Sequence, residues 1–296
     1  MKKLFVFILV GIFLVNLSSL SSGEKSSQLK TIENNIVIDH AGGNCAVLIG
    51  GATKTPDDRT AVDLDIGKAF RLFTDKSYSI MKFNSEKLAT KNELKEVITT
   101  WLPDNLGDEC KCVIYISAHG NKKGEVWLNY QGQMLKANEL ASWLNEIKGH
   151  YSICTVILET CYAGSFIPCL SDENRIIVTS SDEDSKSYYF PSVGGFFSYS
   201  FFYALEYPNQ LEISGSYGEA WDYSESQIDK SRTKERLIIG LIKQIFSKIY
   251  KPPNVSSWRI QNPQIDDNGD GTGHGTNKPD TLPLGGDGYL ALNTYP

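Results

Sequence analysis

Short apolar runs alternate with amphipathic segments through most of the chain. The mostly apolar runs at residues 45–49, 78–83, 112–118, 153–159 and 175–179 are typical of strands in a parallel sheet that is covered on both faces. Between them, residues 63–73, residues 91–101 and a segment that begins after Asn138 carry apolar positions at helical spacing. Strands that alternate with helices predict an α/β sheet with right-handed crossovers.

The same pattern divides the chain into four parts. Residues 1–22 are predicted to be a signal peptide, and the polar residues 23–42 a disordered or short lead-in, or a pro-segment. Residues 43–251 are predicted to form the α/β domain, and residues 252–296 a tail rich in Gly, Asp and Pro. Further predicted elements of the domain are a hairpin at 124–130 and 134–135, a helix at 196–203, an edge strand at 211–214, and helices at 217–228 and 234–250.

The N-terminal segment predicts export. Lys2 and Lys3 precede the apolar stretch from Leu4 to Val15, and a stretch of mostly small residues follows. This order is typical of a secretory signal, and the apolar stretch is short for a bilayer span, although an uncleaved anchor helix is the alternative. No other long apolar stretch occurs, so the mature chain is predicted to have no membrane span and to be secreted, periplasmic or held at the cell surface.

Charge and cysteine content narrow the function classes. The net charge is −6 without a Lys/Arg cluster, which argues against a nucleic-acid partner. The six cysteines do not have the spacing of a compact disulfide framework. Cys45, Cys112 and Cys154 fall in or beside predicted strands and are predicted to be small buried apolar residues.

Two residues suited to nucleophilic chemistry end neighbouring predicted strands. One run begins at Cys112 and ends at His119-Gly120, and the other begins at Ile153 and ends at Cys161. Parallel sheets flanked by helices bind and react at the carboxyl ends of their strands. His119 can accept and donate a proton near neutral pH, and Gly120 leaves its backbone N–H open to a developing oxyanion. The placement predicts a cysteine hydrolase with Cys161 as the nucleophile.

These motifs resemble the legumain-type cysteine peptidases of the caspase-like clan. The chain carries Ser117-Ala118-His119-Gly120 and Glu159-Thr160-Cys161-Tyr162-Ala163-Gly164-Ser165. Cys161 lies 42 positions after His119. The resemblance covers about residues 43–250. It implies a caspase-haemoglobinase three-layer α/β sandwich, with a mostly parallel sheet of about six strands and helices on both faces. It also implies a Cys161/His119 dyad, oxyanion donation by the N–H groups of Gly120 and Cys161, and a structural role for Glu159.

The segment after the fifth predicted strand is the expected substrate pocket. It contains Ser180, Asp182 and Asp184, and acids at a pocket rim favour a basic side chain before the scissile bond. A solvated acidic loop is the alternative interpretation. Legumains prefer Asn at this position, so the preferred residue stays open.

The tail contains the beginning of a calcium loop. Asp266, Asn268 and Asp270 supply oxygens at alternate positions, Gly271 follows, and Thr272 offers a backbone carbonyl. Asn277 stands where an EF-hand has Glu, so a weak extracellular-type Ca²⁺ site is the hypothesis and a flexible linker its alternative.

The sequence therefore predicts an exported cysteine endopeptidase that acts on peptides or proteins and needs no cofactor for catalysis. A transpeptidase that uses the same acyl-enzyme is a close variant. A non-catalytic, calcium-stabilised exported binding protein on the same fold is the rival hypothesis.

Overall fold

A computed structural model describes residues 29–32, 35–40, 42–230, 261–273 and 289–296. The predicted signal peptide and the predicted helix at 234–250 lie outside the described residues. Within the described residues, no helix combines the length and the apolar character that a bilayer span requires.

The strands are numbered in chain order. They are β1 (Leu29–Ile32), β2 (Asn35–Ile38), β3 (Cys45–Gly50), β4 (Ser79–Phe83), β5 (Lys111–Ser117), β6 (Gly120–Asn121), β7 (Glu125–Trp127), β8 (Met134–Lys136), β9 (Ile153–Glu159), β10 (Arg175–Thr179), β11 (Tyr189–Phe190), β12 (Gly194–Gly195) and β13 (Gln264–Asp266).

One large sheet forms the middle of the protein. Its order is β1-β2-β4-β3-β5-β9-β10-β13, and the five central strands from β4 to β10 run parallel. The outer strands β1, β2 and β13 pair antiparallel. The predicted sheet is confirmed and is wider than expected, with eight strands where about six were predicted.

The helices lie on both faces of this sheet. They are α1 (Pro56–Asp75), α2 (Lys91–Glu96), α3 (Leu102–Asn105), α4 (Ala137–Glu146), α5 (Ile167–Leu170), α6 (Phe196–Glu206), α7 (Pro208–Leu211), α8 over residues 217–230, and α9 (Tyr289–Leu292). One buried apolar cluster packs α2 to α5 on one face. A second cluster packs α1, α6, α8 and α9 on the other face, which confirms the three-layer sandwich.

Helix α1 begins seven residues earlier than the apolar pattern indicates. Thr55 accepts a hydrogen bond from the backbone N–H of Asp58, and the Asp58 carboxylate accepts one from the backbone N–H of Thr55. This reciprocal capping box, with Pro56 in the first helical turn, starts the helix before its apolar stripe begins. The same motif at Thr90 and Glu93 begins α2 at Lys91, where the predicted helix at 91–101 also begins.

Three other segments differ from the sequence predictions. Residues 211–214 form no strand, because α7 ends at Glu212 in a left-handed conformation with φ 57°. The lead-in contributes β1 and β2, whose edge pairing adds order to a segment predicted to be disordered or short. The tail contributes β13, which pairs with β10, so this part of it belongs to the domain sheet.

Candidate active site

The sheet register brings His119 and Cys161 to the same edge. Ser117 of β5 pairs with Glu159 of β9, and each candidate residue lies two positions beyond its member of this pair. Both residues line one open cavity with a volume of about 110 Å³. The other lining residues include Asp58, Asp65, Ser187, Tyr189 and Gly195.

Gly120 occupies a crowded position between the two strand ends. A Cβ at this position would collide with the Thr160 hydroxyl and with the Cys161 carbonyl. Glycine therefore permits the backbone after His119 to approach the backbone around Cys161 closely.

Asp58 is the nearest charged partner of His119. Its Oδ2 lies 3.3 Å from His119 Nε2, and the Tyr189 hydroxyl donates a hydrogen bond to its other carboxylate oxygen. The N–H groups of Lys54 and Thr55 also donate to Oδ2, at 3.2 and 3.1 Å. Partial burial acts to raise the pKa of Asp58, but these hydrogen bonds and the positive charge of a protonated His119 lower it.

The sequence pattern did not indicate Asp58 as a residue of the site. The prediction began α1 after this residue, although Thr55 and Asp58 have the spacing of a capping box. That spacing indicates where the helix begins, but the proximity of the helix N-terminus to His119 depends on how α1 packs against the sheet.

The turn that carries Cys161 is fixed by side chains from the segment after β10. Ser181 Oγ accepts from the Ala163 N–H at 3.1 Å and donates to the Thr160 carbonyl at 3.0 Å. Tyr162, directly after the cysteine, adopts a left-handed conformation with φ 61°. Such a conformation is unfavourable for a bulky residue and indicates that the surrounding structure imposes the turn.

The Cys161 thiol is half-buried beside the Ser187 carbonyl, with Sγ 3.7 Å from that oxygen. Burial raises the pKa of Cys161, and the charge of Glu159 acts in the same direction, although the contact with Ser187 and the nearby lysines oppose it. These effects disfavour the thiolate, and we therefore expect that a base removes the thiol proton before attack.

We expect Cys161 in the free enzyme to react slowly with iodoacetamide at neutral pH. Because burial disfavours the thiolate, the alkylation rate should increase with pH through a midpoint above that of an ordinary thiol, about 8.5. Mass spectrometry of the Cys161 peptide over a pH series measures this midpoint. Exposed Cys169 in the same digest is the internal reference. A Cys161 midpoint below pH 7 would show instead a preformed thiolate–imidazolium pair.

Two buried carboxylates, Asp65 and Glu159, also line the cavity. Asp65 accepts from Ser117 Oγ at 3.1 Å and from the Gly195 N–H at 3.0 Å, and Lys68 lies 3.3 Å from its Oδ1. Burial, followed by the negative charge of Glu159, raises the pKa of Asp65. The two acids thus form an acidic wall beside the thiol.

Glu159 connects three parts of the site. Its carboxylate accepts hydrogen bonds from the Ser187 hydroxyl and, at 2.8 Å, from the Ser198 N–H at the beginning of α6. Burial raises the pKa of Glu159, although the hydrogen bonds from Ser187 and Ser198 act to lower it. These contacts join the end of β9 to the segment around Ser187 and to α6.

The residues predicted as the substrate pocket lie outside the cavity. Ser180 is fully buried, and its hydroxyl accepts from the Thr160 N–H at 3.2 Å. Asp182 accepts from the N–H groups of Asp184 and Ser185, and Asp184 pairs with Lys122 at 2.6 Å on the surface. These three side chains are used within the fold or at its surface, and the acids that line the cavity are Asp58, Asp65 and Glu159.

The tail residue Asp266 ends β13, and Asn268, Asp270 and Thr272 lie in the loop that follows it. Across the described ranges, no three His, Cys, Asp or Glu side chains converge as a metal-binding group.

Comparisons with known proteins agree with this site. The sequence model of the peptidase C13 family matches residues 74–235, more than half of the chain and a range that includes both His119 and Cys161. The chain belongs to the peptidase C13 family. This confirms the legumain-type resemblance, and the protein is a cysteine-type peptidase whose substrates are peptides or proteins.

Solved structures show a distant likeness, and one of them is a caspase. The crystal structure of caspase-1 from Spodoptera frugiperda superposes with a TM-score of 0.47 at 11% identity, over 69% of this chain and 84% of the caspase chain. No curated protein matches the sequence.

Proposed function

We propose that the protein is an exported cysteine endopeptidase that uses Cys161 as nucleophile and His119 as general acid and base. The observation that carries this proposal is the shared cavity at the ends of β5 and β9, whose lining residues include one thiol, Cys161, and one imidazole, His119. Family membership supports an enzyme over the rival hypothesis of a non-catalytic binding protein.

In the proposed reaction, His119 removes the thiol proton as Cys161 Sγ forms a bond to the substrate carbonyl carbon. The oxygen of the tetrahedral intermediate accepts hydrogen bonds from the N–H groups of Gly120 and Cys161. The imidazolium then donates its proton to the leaving amine as the C–N bond breaks, leaving a thioester. Water, deprotonated by His119, hydrolyses the thioester and regenerates the thiol.

Asp58 acts in this scheme as a positioning residue. Its carboxylate, held by the capping box and by Tyr189, fixes the orientation of the His119 ring and stabilises the imidazolium that forms after each proton transfer.

Asp58→Asn should lower kcat about 10-fold and leave KM nearly unchanged, because asparagine keeps a hydrogen-bonding oxygen but has no charge to stabilise the imidazolium. Asp57→Asn is the matched control, since Asp57 lies in the same helical turn with its side chain exposed. Steady-state kinetics on one fluorogenic peptide measure both variants. An equal kcat for Asp58→Asn and Asp57→Asn would show that the charge of Asp58 does not contribute to catalysis.

The acidic wall supports a substrate with a basic residue before the scissile bond. A Lys or Arg side chain that enters the cavity would place its charge near Asp65 and Glu159. Of these two acids, Asp65 already forms an ion pair with Lys68. The second carboxylate then supplies the negative charge that a cationic side chain requires.

A peptide acyloxymethyl ketone with Arg at the position before the reactive group tests the proposed chemistry. We expect covalent labelling of Cys161 by the wild type and none by Cys161→Ala. Adding an amine nucleophile during peptide hydrolysis separates the hydrolase from the transpeptidase, because a transpeptidase gives an aminolysis product in excess over the acid. Labelling that persists in Cys161→Ala would overturn the proposed nucleophile. Export is tested separately by N-terminal sequencing of the mature protein, which should begin near residue 23.

A further inference from the structure

The loop after β13 is packed firmly against the domain. The Gly271 N–H donates to Ser171 Oγ at 2.8 Å, and Gly269 and Gly271 have φ values of 78° and 76°. A Cβ on Gly269 would lie 2.9 Å from the Glu173 N atom. Glycine at this position thus lets the loop close against the turn that follows α5.

A buried carboxylate without a partner lies at the beginning of this loop. The Asp266 side chain is 1% exposed, and within the described part of the chain neither of its oxygens has a hydrogen bond of acceptable geometry. The Ser171 hydroxyl and the N–H groups of Asn268 and Gly269 lie close to it without reaching that geometry. A buried carboxylate left without a partner is unfavourable, so this position requires a cation or a proton.

Further oxygen atoms follow at alternate positions of the loop. Asn268 Oδ1 accepts from the Asp270 N–H at 2.9 Å, and Asp270 Oδ1 accepts from the Thr272 N–H at 2.7 Å. These hydrogen bonds hold the side chains of Asn268 and Asp270 against the loop backbone. Among the described residues, neither Asp266 nor Asp270 forms an ion pair with a basic side chain.

We propose that this loop binds one Ca²⁺ ion through the carboxylates of Asp266 and Asp270, the amide oxygen of Asn268 and the backbone carbonyl of Thr272. Oxygen-only donors suit Ca²⁺, which accepts six to eight ligands in variable geometry, better than Mg²⁺, which requires a near-ideal octahedron. Two carboxylates place the site in the weak extracellular range, with a Kd of about 10⁻⁴ to 10⁻³ M and water completing the coordination.

The proposed ion would stabilise the strand that lies beside the Cys161 turn. Strand β13 pairs with β10 through Gln264, whose N–H donates to Thr179 Oγ1 at 3.2 Å, and Thr179 directly precedes the Ser180-Ser181 pair that holds the turn. Fixing the Asp266 end of β13 therefore secures the edge of the sheet next to the site. The proposal does not depend on the catalytic mechanism, because binding and unfolding can be measured without a substrate.

Calorimetric titration and thermal unfolding of the full-length mature protein test the site after treatment with a chelator. We expect one Ca²⁺ per chain and, at about 10 mM Ca²⁺, a Tm increase of roughly 3 to 10 °C over the chelated protein. The same concentration of Mg²⁺ should give a much smaller increase. Asp270→Asn should remove most of the Ca²⁺ effect and leave the Tm of the chelated protein nearly unchanged, because Asp270 is exposed.

Glu173→Gln is the matched control. Glu173 is a neighbouring acid with an exposed side chain outside the proposed ligand set, so this variant should keep the full Ca²⁺ effect. If Asp270→Asn does not fold, Asn268→Ala provides the same comparison. Equal Tm values in Ca²⁺ and chelator, an equal effect of Mg²⁺, or a Ca²⁺ effect that survives in Asp270→Asn would each overturn the proposal.

Discussion

Cys161→Ala should lower kcat/KM for a peptide substrate by about 10⁴-fold or more, because without the sulfur no acyl-enzyme can form and His119 has no nucleophile to activate. The fold should remain, since the cysteine is half-buried and the turn around it is held by the backbone and by Ser181. Fluorogenic peptide hydrolysis at equal protein concentration measures the loss, and far-UV circular dichroism confirms that the variant is folded.

The chain offers a matched control for this substitution. Cys169 is also unpaired but is exposed on the short helix α5, outside the cavity, so Cys169→Ala should keep nearly full activity. A Cys161→Ala variant that retains more than about one tenth of the wild-type rate would exclude covalent catalysis by this residue. Loss of activity in Cys169→Ala alone would show that the reacting thiol lies elsewhere.

The sequence was sufficient to predict the edge of the sheet where the candidate residues meet. Apolar runs of strand length fix which residues enter the parallel sheet, and the ends of those runs fix the positions of His119 and Cys161. The register of β5 with β9 then brings them together. These are local properties of a periodic pattern, so they could be predicted without knowledge of long-range contacts.

The charged partners around the dyad could not be predicted in this way. Asp58 and Asp65 lie on α1, more than 50 positions before His119, and they reach the cavity only because α1 packs across β3 and β5. Asp182 and Asp184 are nearer to Cys161 in sequence. However, Asp182 accepts hydrogen bonds within a local turn, and Asp184 forms an ion pair with Lys122. Proximity along the chain therefore did not indicate which acids line the cavity.

Glu159→Gln should reduce the preference for a basic residue before the scissile bond. We expect the ratio of kcat/KM for an Arg substrate to kcat/KM for its Asn counterpart to decrease about 10²-fold, because the neutral amide no longer compensates the charge of a desolvated guanidinium. Glutamine has the same shape and can still accept from the Ser198 N–H, so the site should stay intact. Two fluorogenic peptides that differ only at this residue measure the ratio.

Asp184→Asn is the control that separates the two candidate pockets. Its side chain pairs with Lys122 at the surface, outside the cavity, and the substitution should change the ratio less than about twofold, as expected for a screened surface charge. Asp65→Asn provides a second test of the acidic wall if Glu159→Gln disturbs the Ser187 segment. If the ratio is unchanged in Glu159→Gln and Asp65→Asn but the preference for Arg disappears in Asp184→Asn, the specificity pocket lies in the loop after β10, as the sequence predicts.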